Sequence, residues 1–227
     1  MSEYDARTAA GEEAILSVVI PIYNEEETLS VLAERLLAVL EEMDESWEVV
    51  FVNDGSTDAS GDIIRRLHQG DPRFKSVSFS RNFGHQVAIS CGLDFACGQA
   101  VVAMDGDLQD PPEVLPDLLR RWREGYEVVY AVRIRRKENF ILRACYAIFY
   151  WFIQLISRTP LPRDSGDFSL MSRRVVDLLN QTPERGRYLR GLRSWFGFSQ
   201  VGIPIEREQR SAGKSKYSLR RLLKLAF

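Results

Sequence analysis

From Ala14 to Val132 the chain alternates between two hydrophobic periodicities. Apolar runs rich in Val and Ile cover Ala14 to Ile22, Trp47 to Val52, Phe74 to Phe79, Gln99 to Met104 and Tyr126 to Val132, and each predicts a buried strand. Between them lie segments with helical spacing. Glu26 to Leu40 is marked by Leu29, Leu32, Leu36, Leu37 and Leu40, and Asp58 to His68 and Gly84 to Ala96 follow. Pro112 to Trp122 is the last of them, with proline in its tolerated first turn. This rhythm predicts an α/β fold with a largely parallel sheet and helices on both faces.

After Arg133 the rhythm breaks. A basic loop leads into an aromatic segment containing Tyr146, Phe149, Tyr150, Trp151 and Phe152. A short strand from Phe168 to Met171 and a helix from Arg173 to Leu179 come next, then a basic stretch from Arg185 to Arg193 and a strand-like run from Phe198 to Ile205. Lys214 to Phe227 reads as a loop entering an amphipathic helix, with Leu219, Leu222, Leu223 and Phe227 apolar and Arg220, Arg221 and Lys224 between them.

Charge sharpens the division at residue 132. Residues 1–132 carry 10 Lys/Arg against 25 Asp/Glu, whereas residues 133–227 carry 20 against 7, which leaves a formal net charge of −2 for the whole chain. An acidic half followed by a basic half points to an anionic partner for the second half: nucleic acid, nucleotide phosphates or an anionic membrane surface. The basic half lacks a nucleic-acid recognition motif and an aromatic platform pattern, which argues against nucleic acid. Cys91, Cys97 and Cys145 are odd in number, sit among apolar residues and show no metal-like spacing, so they read as buried thiols of a reducing compartment. Met1 to Glu13 is polar and reads as a flexible start without a signal peptide. Ala144 to Ser157 is 14 residues between Arg143 and Arg158, short of the roughly 20 a membrane span needs, and suits a buried or interfacial helix.

Three loops should meet at the carboxyl edge of the sheet, where open α/β folds place their ligands. The first is Pro21-Ile22-Tyr23-Asn24-Glu25-Glu26-Glu27. Its tyrosine can stack on a base and its acids can accept from ribose hydroxyls, or the acids simply favour a helix start. In the second, Asn53 to Asp58, Asp54 suits a nucleoside contact while Ser56, Thr57 and Asp58 turn the chain and cap the next helix. The third is Asp105-Gly106-Asp107-Leu108-Gln109-Asp110, stopped by Pro111 and Pro112. Carboxylates at i and i+2 around a glycine can converge on one hard divalent cation, and such a cation can hold a diphosphate.

Four motifs recur in order at matching spacing: Val-Val-Ile-Pro-Ile-Tyr-Asn-Glu-Glu (18–26), Val-Asn-Asp-Gly-Ser-Thr-Asp (52–58), Arg-Asn-Phe-Gly-His-Gln (81–86) and Met-Asp-Gly-Asp-Leu-Gln-Asp-Pro-Pro (104–112). Together they resemble the inverting glycosyltransferases of family 2, which have a GT-A fold. More narrowly, they resemble the polyprenyl-phosphate sugar transferases, namely bactoprenol glucosyltransferases and dolichol-phosphate mannose synthases. Arg-Asp-Ser-Gly-Asp-Phe (163–168) and Arg-Ser-Ala-Gly-Lys-Ser-Lys-Tyr (210–217) fit that subgroup. Asn53 departs from the aspartate common in the wider family. The membrane-embedded helices that follow the catalytic domain in bactoprenol glucosyltransferases are missing, so the chain is expected to be either a shortened form or a natural soluble member.

The resemblance implies a GT-A catalytic domain over residues 14–210, with a nucleotide-sugar half up to 132 and an acceptor half from 133. An acceptor loop and juxtamembrane helix occupy 211–227. It also implies roles for residues. Pro21, Tyr23, Glu25 and Asp54 would hold the nucleoside. Asp105, Asp107 and Gln109 would serve Mg²⁺ or Mn²⁺ and the diphosphate. Arg133, Arg143, Arg210 and Lys216 match phosphate-contacting basic positions, and Arg210 and Lys216 address either the acceptor or the donor diphosphate. Asp167 resembles the family's proposed base, or orients the acceptor instead, since a phosphate oxygen is already anionic. Arg135, Arg136 and Lys137 read as a solvated face, His85 as a first-turn helix residue and His68 as surface.

The expected reaction is metal-dependent transfer of a hexose, with UDP-glucose the favoured donor, onto a polyprenyl phosphate at the cytoplasmic membrane face. The rivals are a family 2 transferase with a soluble or polysaccharide acceptor, and a non-catalytic nucleotide-binding or membrane-docking module. Intact Asp105, Asp107 and Gln109 speak against the second. The amphipathic C-terminal helix and Tyr146 to Phe152 are expected to lie on an anionic membrane surface; otherwise they pack on the protein core or on a second copy of the chain.

Overall fold

The structure, a computed structural model, describes residues 14–133, 165–182 and 188–206. Seven strands form one sheet in the order β3-β2-β1-β4-β6-β5-β7. They are β1 (Leu16–Ile22), β2 (Trp47–Asn53), β3 (Phe74–Ser78), β4 (Ala100–Ala103), β5 (Val128–Arg133), β6 (Ser165–Ser172) and β7 (Gln200–Ile205). The pairs β1–β2, β2–β3, β1–β4 and β5–β7 are parallel, which matches the mainly parallel sheet expected.

The helices are α1 (Leu29–Glu42), α2 (Ser60–Gly70), α3 (His85–Phe95), α4 (Leu115–Arg123), α5 (Arg173–Gln181) and α6 (Leu189–Trp195). Pro112 opens a short 3₁₀ turn, Pro112–Val114, directly before α4. Two cores explain why the strands are apolar on both faces. On one face Val18, Ile20, Ile22, Val49 and Phe51 meet α1, α2 and α4 through Leu29, Leu36, Ile64 and Leu118. On the other, Val19, Val50, Val52 and Val101 meet α3 and α5 through Ile89, Leu93, Val175 and Leu179. A side-chain period of two with both faces covered makes the central strands apolar along most of their length; the buried polar pair Ser17 and Glu48, near the starts of β1 and β2, is satisfied by a hydrogen bond from Ser17 Oγ to Glu48 Oε1 at 2.6 Å.

One feature was not legible in the alternation. Strand β6 runs antiparallel between β4 and β5, with Ala103 opposite Ser169 and Tyr130 opposite Ser169. Its amino end therefore lies at the edge where β1, β2, β4 and β5 end, and extending that register by two residues sets Asp167 beside Asp105. The stretch Arg185 to Arg193, read only as basic, enters α6 at Leu189. Cys91 and Cys97 are free and half-buried, which corrects the reading of buried thiols; Cys91 lies within α3 and Cys97 two residues beyond its end. Burial, aided by Asp94, pushes the Cys91 thiol up to about 11. Cys145, the aromatic segment and the C-terminal segment expected to form an amphipathic helix lie outside the described residues. No described helix is long and apolar enough to cross a membrane.

Candidate active site

The loops after β1 and β2 are laced together before either meets a ligand. Pro21 is buried inside β1, and Tyr23 emerges beyond it at 36% exposure. Asn24 turns the chain at φ 54°, a left-handed conformation that asparagine tolerates. The Thr57 N–H donates to Asn24 Oδ1 at 2.8 Å, and the Asn24 N–H donates to Ser56 Oγ at 3.1 Å. The Glu25 N–H donates to Ser60 Oγ at 2.9 Å, and the Glu26 N–H to Asp58 Oδ2 at 3.2 Å. Asp58 also takes the Ser60 N–H at 3.0 Å, so it both turns the chain into α2 and ties α2 to the first loop.

Asp54 is nearly enclosed, at 3% exposure. Its Oδ1 accepts the Phe83 N–H at 2.7 Å and its Oδ2 accepts the Gly84 N–H at 3.0 Å. Both oxygens of the residue expected at the nucleoside thus organise the Arg81–Gln86 loop. Gly55 permits the approach: at φ 67° its Cβ would stand 2.3 Å from the Arg81 carbonyl carbon. Asn53 Oδ1 accepts the Ser56 N–H at 2.9 Å, a turn-closing role that an amide oxygen fills as well as a carboxylate would.

The acidic loop leaves β4 at Met104. A Cβ on Gly106 would lie 2.5 Å from Ile22 Cδ1 and 3.3 Å from the Pro21 carbonyl oxygen, so a larger residue would have to push the Ile22 side chain aside for this loop to close against β1. Thr28 Oγ1 donates to the Gly106 carbonyl at 3.3 Å, fixing it to the start of α1. Leu108 adopts φ 60° while 96% buried, an unfavourable conformation for a bulky residue that the surrounding packing enforces. Its effect is local: Asp107 and Gln109 flank it, and the Gln109 N–H donates to Asp107 Oδ1 at 3.1 Å. Asp105, Asp107 and Gln109 are all part-exposed, while Asp110 is buried.

Across from this loop stands Asp167, whose side chain is 10% exposed. Arg190 grips it with a fork, Nε to Oδ1 at 2.7 Å and Nη2 to Oδ2 at 3.2 Å. Gln86 Nε2 donates to Oδ2 at 3.1 Å. His85 does open α3, as expected, but its ring also spans the two acids, with Nε2 2.9 Å from Asp105 Oδ1 and Nδ1 3.9 Å from Asp167 Oδ2. Partial burial pulls the imidazole pKa down, yet the hydrogen bond to Asp105 and the charges of Asp105 and Asp167 outweigh it and hold the pKa above its ordinary value. One imidazole therefore links the acid of the loop after β4 to the acid near the amino end of β6.

Neither Gln86 nor Arg190 stands out in the sequence. Arg190 was submerged in a basic run, although Leu189, Leu192 and Phe196 at helical spacing mark the helix that carries it. Arg133 closes β5 at the same edge, opposite Ile205, with its side chain outside the described residues. Arg143, Arg210 and Lys216 also lie outside them. His68 is exposed, as expected, and its Nδ1 lies 2.7 Å from the Phe74 carbonyl.

A sheet edge with an Asp-x-Asp loop, two interlocked loops beside it and a clamped carboxylate opposite matches a family. The model for glycosyl transferase family 2 matches residues 17–179. The chain belongs to that family. It is 46% identical over 211 residues to the uncharacterized glycosyltransferase YkcC of Bacillus subtilis, covering 92% of this chain and 65% of that protein. It is 39% identical over 214 residues to the bactoprenol glucosyl transferase of Shigella phage SfV, covering 93% of this chain and 69% of the phage protein. The chain thus spans about two thirds of the length of these relatives. The mannosyltransferase PcManGT of Pyrobaculum calidifontis, solved with GDP-Man and Mn²⁺, has the same fold at a TM-score of 0.60 and 21% identity, over 88% of this chain and 58% of that one. The GT-A architecture expected from the motifs is thereby the observed one.

Proposed function

We propose that the chain catalyses metal-dependent transfer of glucose from UDP-glucose to a polyprenyl phosphate, with inversion at the anomeric carbon, at the cytoplasmic face of a membrane. The observation that carries this reading is the facing of Asp105 and Asp167 across the His85 imidazole, at the edge where all three candidate loops meet. Relatives named bactoprenol glucosyl transferases, alike over nearly the whole chain, support glucose as the sugar and a polyprenyl phosphate as the acceptor.

The residues present fit a hard divalent ion. Two carboxylates and an amide oxygen, from Asp105, Asp107 and Gln109, form an all-oxygen donor set. Among the described residues no group of three or more His, Cys, Asp or Glu could hold a metal alone. Mg²⁺ is commonly held in this way, through one or two carboxylates with substrate phosphates completing the shell. When bound, Mg²⁺ or Mn²⁺ supplies Lewis-acid stabilisation of the departing diphosphate.

The chain's own residues do the rest. Tyr23 and Glu25 would receive the base and ribose of the donor, on a loop braced by Ser56 and Ser60. An oxygen of the acceptor phosphate attacks the anomeric carbon as the bond from that carbon to the diphosphate oxygen breaks. The electron pair leaves with UDP, and attack from the opposite side inverts the centre. The acceptor oxygen is already anionic, so no proton need be removed. The harder task is to bring two anions together, and Arg133, Arg143, Arg210 and Lys216 are assigned to it. The Lys214 to Phe227 segment, read as a loop entering an amphipathic helix, and Tyr146 to Phe152 would hold the domain at an anionic lipid surface, where the acceptor resides.

The test is a donor panel (UDP-glucose, UDP-galactose, GDP-mannose) with undecaprenyl phosphate and Mg²⁺ or Mn²⁺, read as released nucleotide and labelled lipid. Labelled lipid from UDP-glucose is expected. Transfer only to a soluble or polysaccharide acceptor would replace this reading with the rival transferase.

A further inference from the structure

Asp167 is held more completely than a proton-accepting carboxylate needs to be. Three donor atoms from two side chains reach its two oxygens: Arg190 Nε, Arg190 Nη2 and Gln86 Nε2. Its main chain is fixed as well. Ser169 Oγ donates to the Asp167 carbonyl at 3.0 Å, and Arg193 Nη1 donates to that same Ser169 Oγ. Arg190 and Arg193 are three residues apart on α6, hence neighbours on one helix face. Arg193 is 98% buried, and its Nε and Nη2 find no hydrogen-bond partner among the described residues. Burial pulls its pKa down to about 10.

A cation placed there at such desolvation cost makes sense beside a carboxylate that must stay where it is. The helix is itself locked to the site, because Gln86 Oε1 accepts the Leu189 N–H at 3.4 Å while its amide nitrogen holds Asp167. One glutamine thus joins α3, β6 and the start of α6. Each oxygen of Asp167 is met by at least one fixed donor. Its arrangement suits a fixed acceptor of hydrogen bonds.

We propose that Arg190 is a positioning residue of the transfer reaction, which together with Gln86 fixes Asp167 opposite the Asp105–Asp107 loop. Asp167 then orients the incoming acceptor and takes no proton from it. This rests on the transferase reading above and adds to it a role for α6.

A lysine at 190 restores charge but cannot reproduce the side-on fork, because its ammonium is a single point of donation. The experiment is a double-mutant cycle on Asp167→Asn and Arg190→Met, with Arg190→Lys alongside, in the lipid-transfer assay. UDP titration and thermal melting are measured on each variant. Arg190→Met is expected to lower kcat about 10–100-fold, the scale of a misplaced reacting group. Its UDP affinity should stay within about 2-fold of wild type, because the donor's nucleoside is held by other loops. Arg190→Lys should fall between the two. The double variant should be no more than about 3-fold slower than the slower single, since both substitutions disable one unit.

Multiplying effects in the double variant, or a kcat for Arg190→Met within about 3-fold of wild type, would overturn the inference. So would full recovery by Arg190→Lys. If Arg190→Met does not fold, Gln86→Leu removes the other donor to Asp167 and should lower kcat with unchanged UDP affinity; an unchanged kcat overturns the inference equally. A wild type that transfers nothing to lipid phosphate brings down the transferase reading and this inference together. An active wild type with an indifferent Arg190 brings down this inference alone.

Discussion

Asp54→Asn isolates what the structure says about the second loop. The carboxylate accepts two backbone N–H groups, from Phe83 at 2.7 Å and Gly84 at 3.0 Å, at a site 97% shielded from solvent. Hydrogen bonds to a charged acceptor contribute roughly 1.5–3 kcal/mol each, and a buried donor left unmatched costs about 1–3 kcal/mol. Asparagine keeps one oxygen and turns an NH₂ toward the other N–H, so one bond weakens and the second becomes a donor–donor contact. The expected loss is about 2–4 kcal/mol, which for a chain of this size lowers Tm by roughly 4–16 °C. Because the Phe83–Gly84 turn sets the start of α3, kcat should fall as well, through displaced His85 and Gln86. UDP affinity, measured well below the melting temperature, should change by less than about 3-fold, since both Asp54 oxygens are occupied by the main chain. Thermal melting and UDP calorimetry on the same preparation decide the matter. An unchanged Tm with UDP affinity lost would refute the reasoning and return Asp54 to direct nucleoside binding.

Three further outcomes are expected. Asp107→Asn should lower turnover by at least about 100-fold, equivalent to about 2.7 kcal/mol of transition-state stabilisation, and should weaken donor binding; full activity of this variant, or of the wild type in EDTA, would sink the metal-dependent reading. Arg210→Ala and Lys216→Ala should impair transfer to lipid phosphate more than UDP binding, and a large loss of UDP affinity would reassign both residues to the donor diphosphate. Burial raises the Glu48 carboxyl pKa, but hydrogen bonds from the Cys97 N–H, Lys75 and Ser17 outweigh it and hold the pKa below the ordinary glutamate value. A depressed folded-state pKa gives stability that is full above the unfolded value and lost as pH falls through the folded one. The Tm advantage of wild type over Glu48→Gln should therefore be present at neutral pH and shrink below the ordinary glutamate range; an advantage that grows on acidification would contradict the assignment.

The parallel half of the fold was legible because each of its strands carries apolar residues on both faces and each helix a leucine or isoleucine stripe. Those signals are local. The placement of β6 was not, since an antiparallel insertion between β4 and β5 depends on pairing across distant segments and leaves no mark on periodicity. That strand brings Asp167 to the edge. The Asp105–Asp107 loop could be found from an apolar strand ending in acids before two prolines. Arg190 and Gln86 could not be ranked in the same way. An arginine in a basic run and a glutamine in a helix's first turn look like solvated residues until α6 and α3 are seen to converge on one carboxylate. Asp54 shows the opposite limit: its position at a strand end was evident, while its engagement by Phe83 and Gly84 is a property of a loop folded back over it.

The central claim is that this sheet edge transfers glucose to a lipid phosphate by direct displacement. The most direct measurement is the anomeric configuration of the product lipid made from UDP-glucose, whose glucosyl linkage is α, read from the coupling of the anomeric proton by NMR. A β-linked glucosyl phosphate lipid is expected. An α-linked product, or glucose released to water with no lipid product, would contradict the claim.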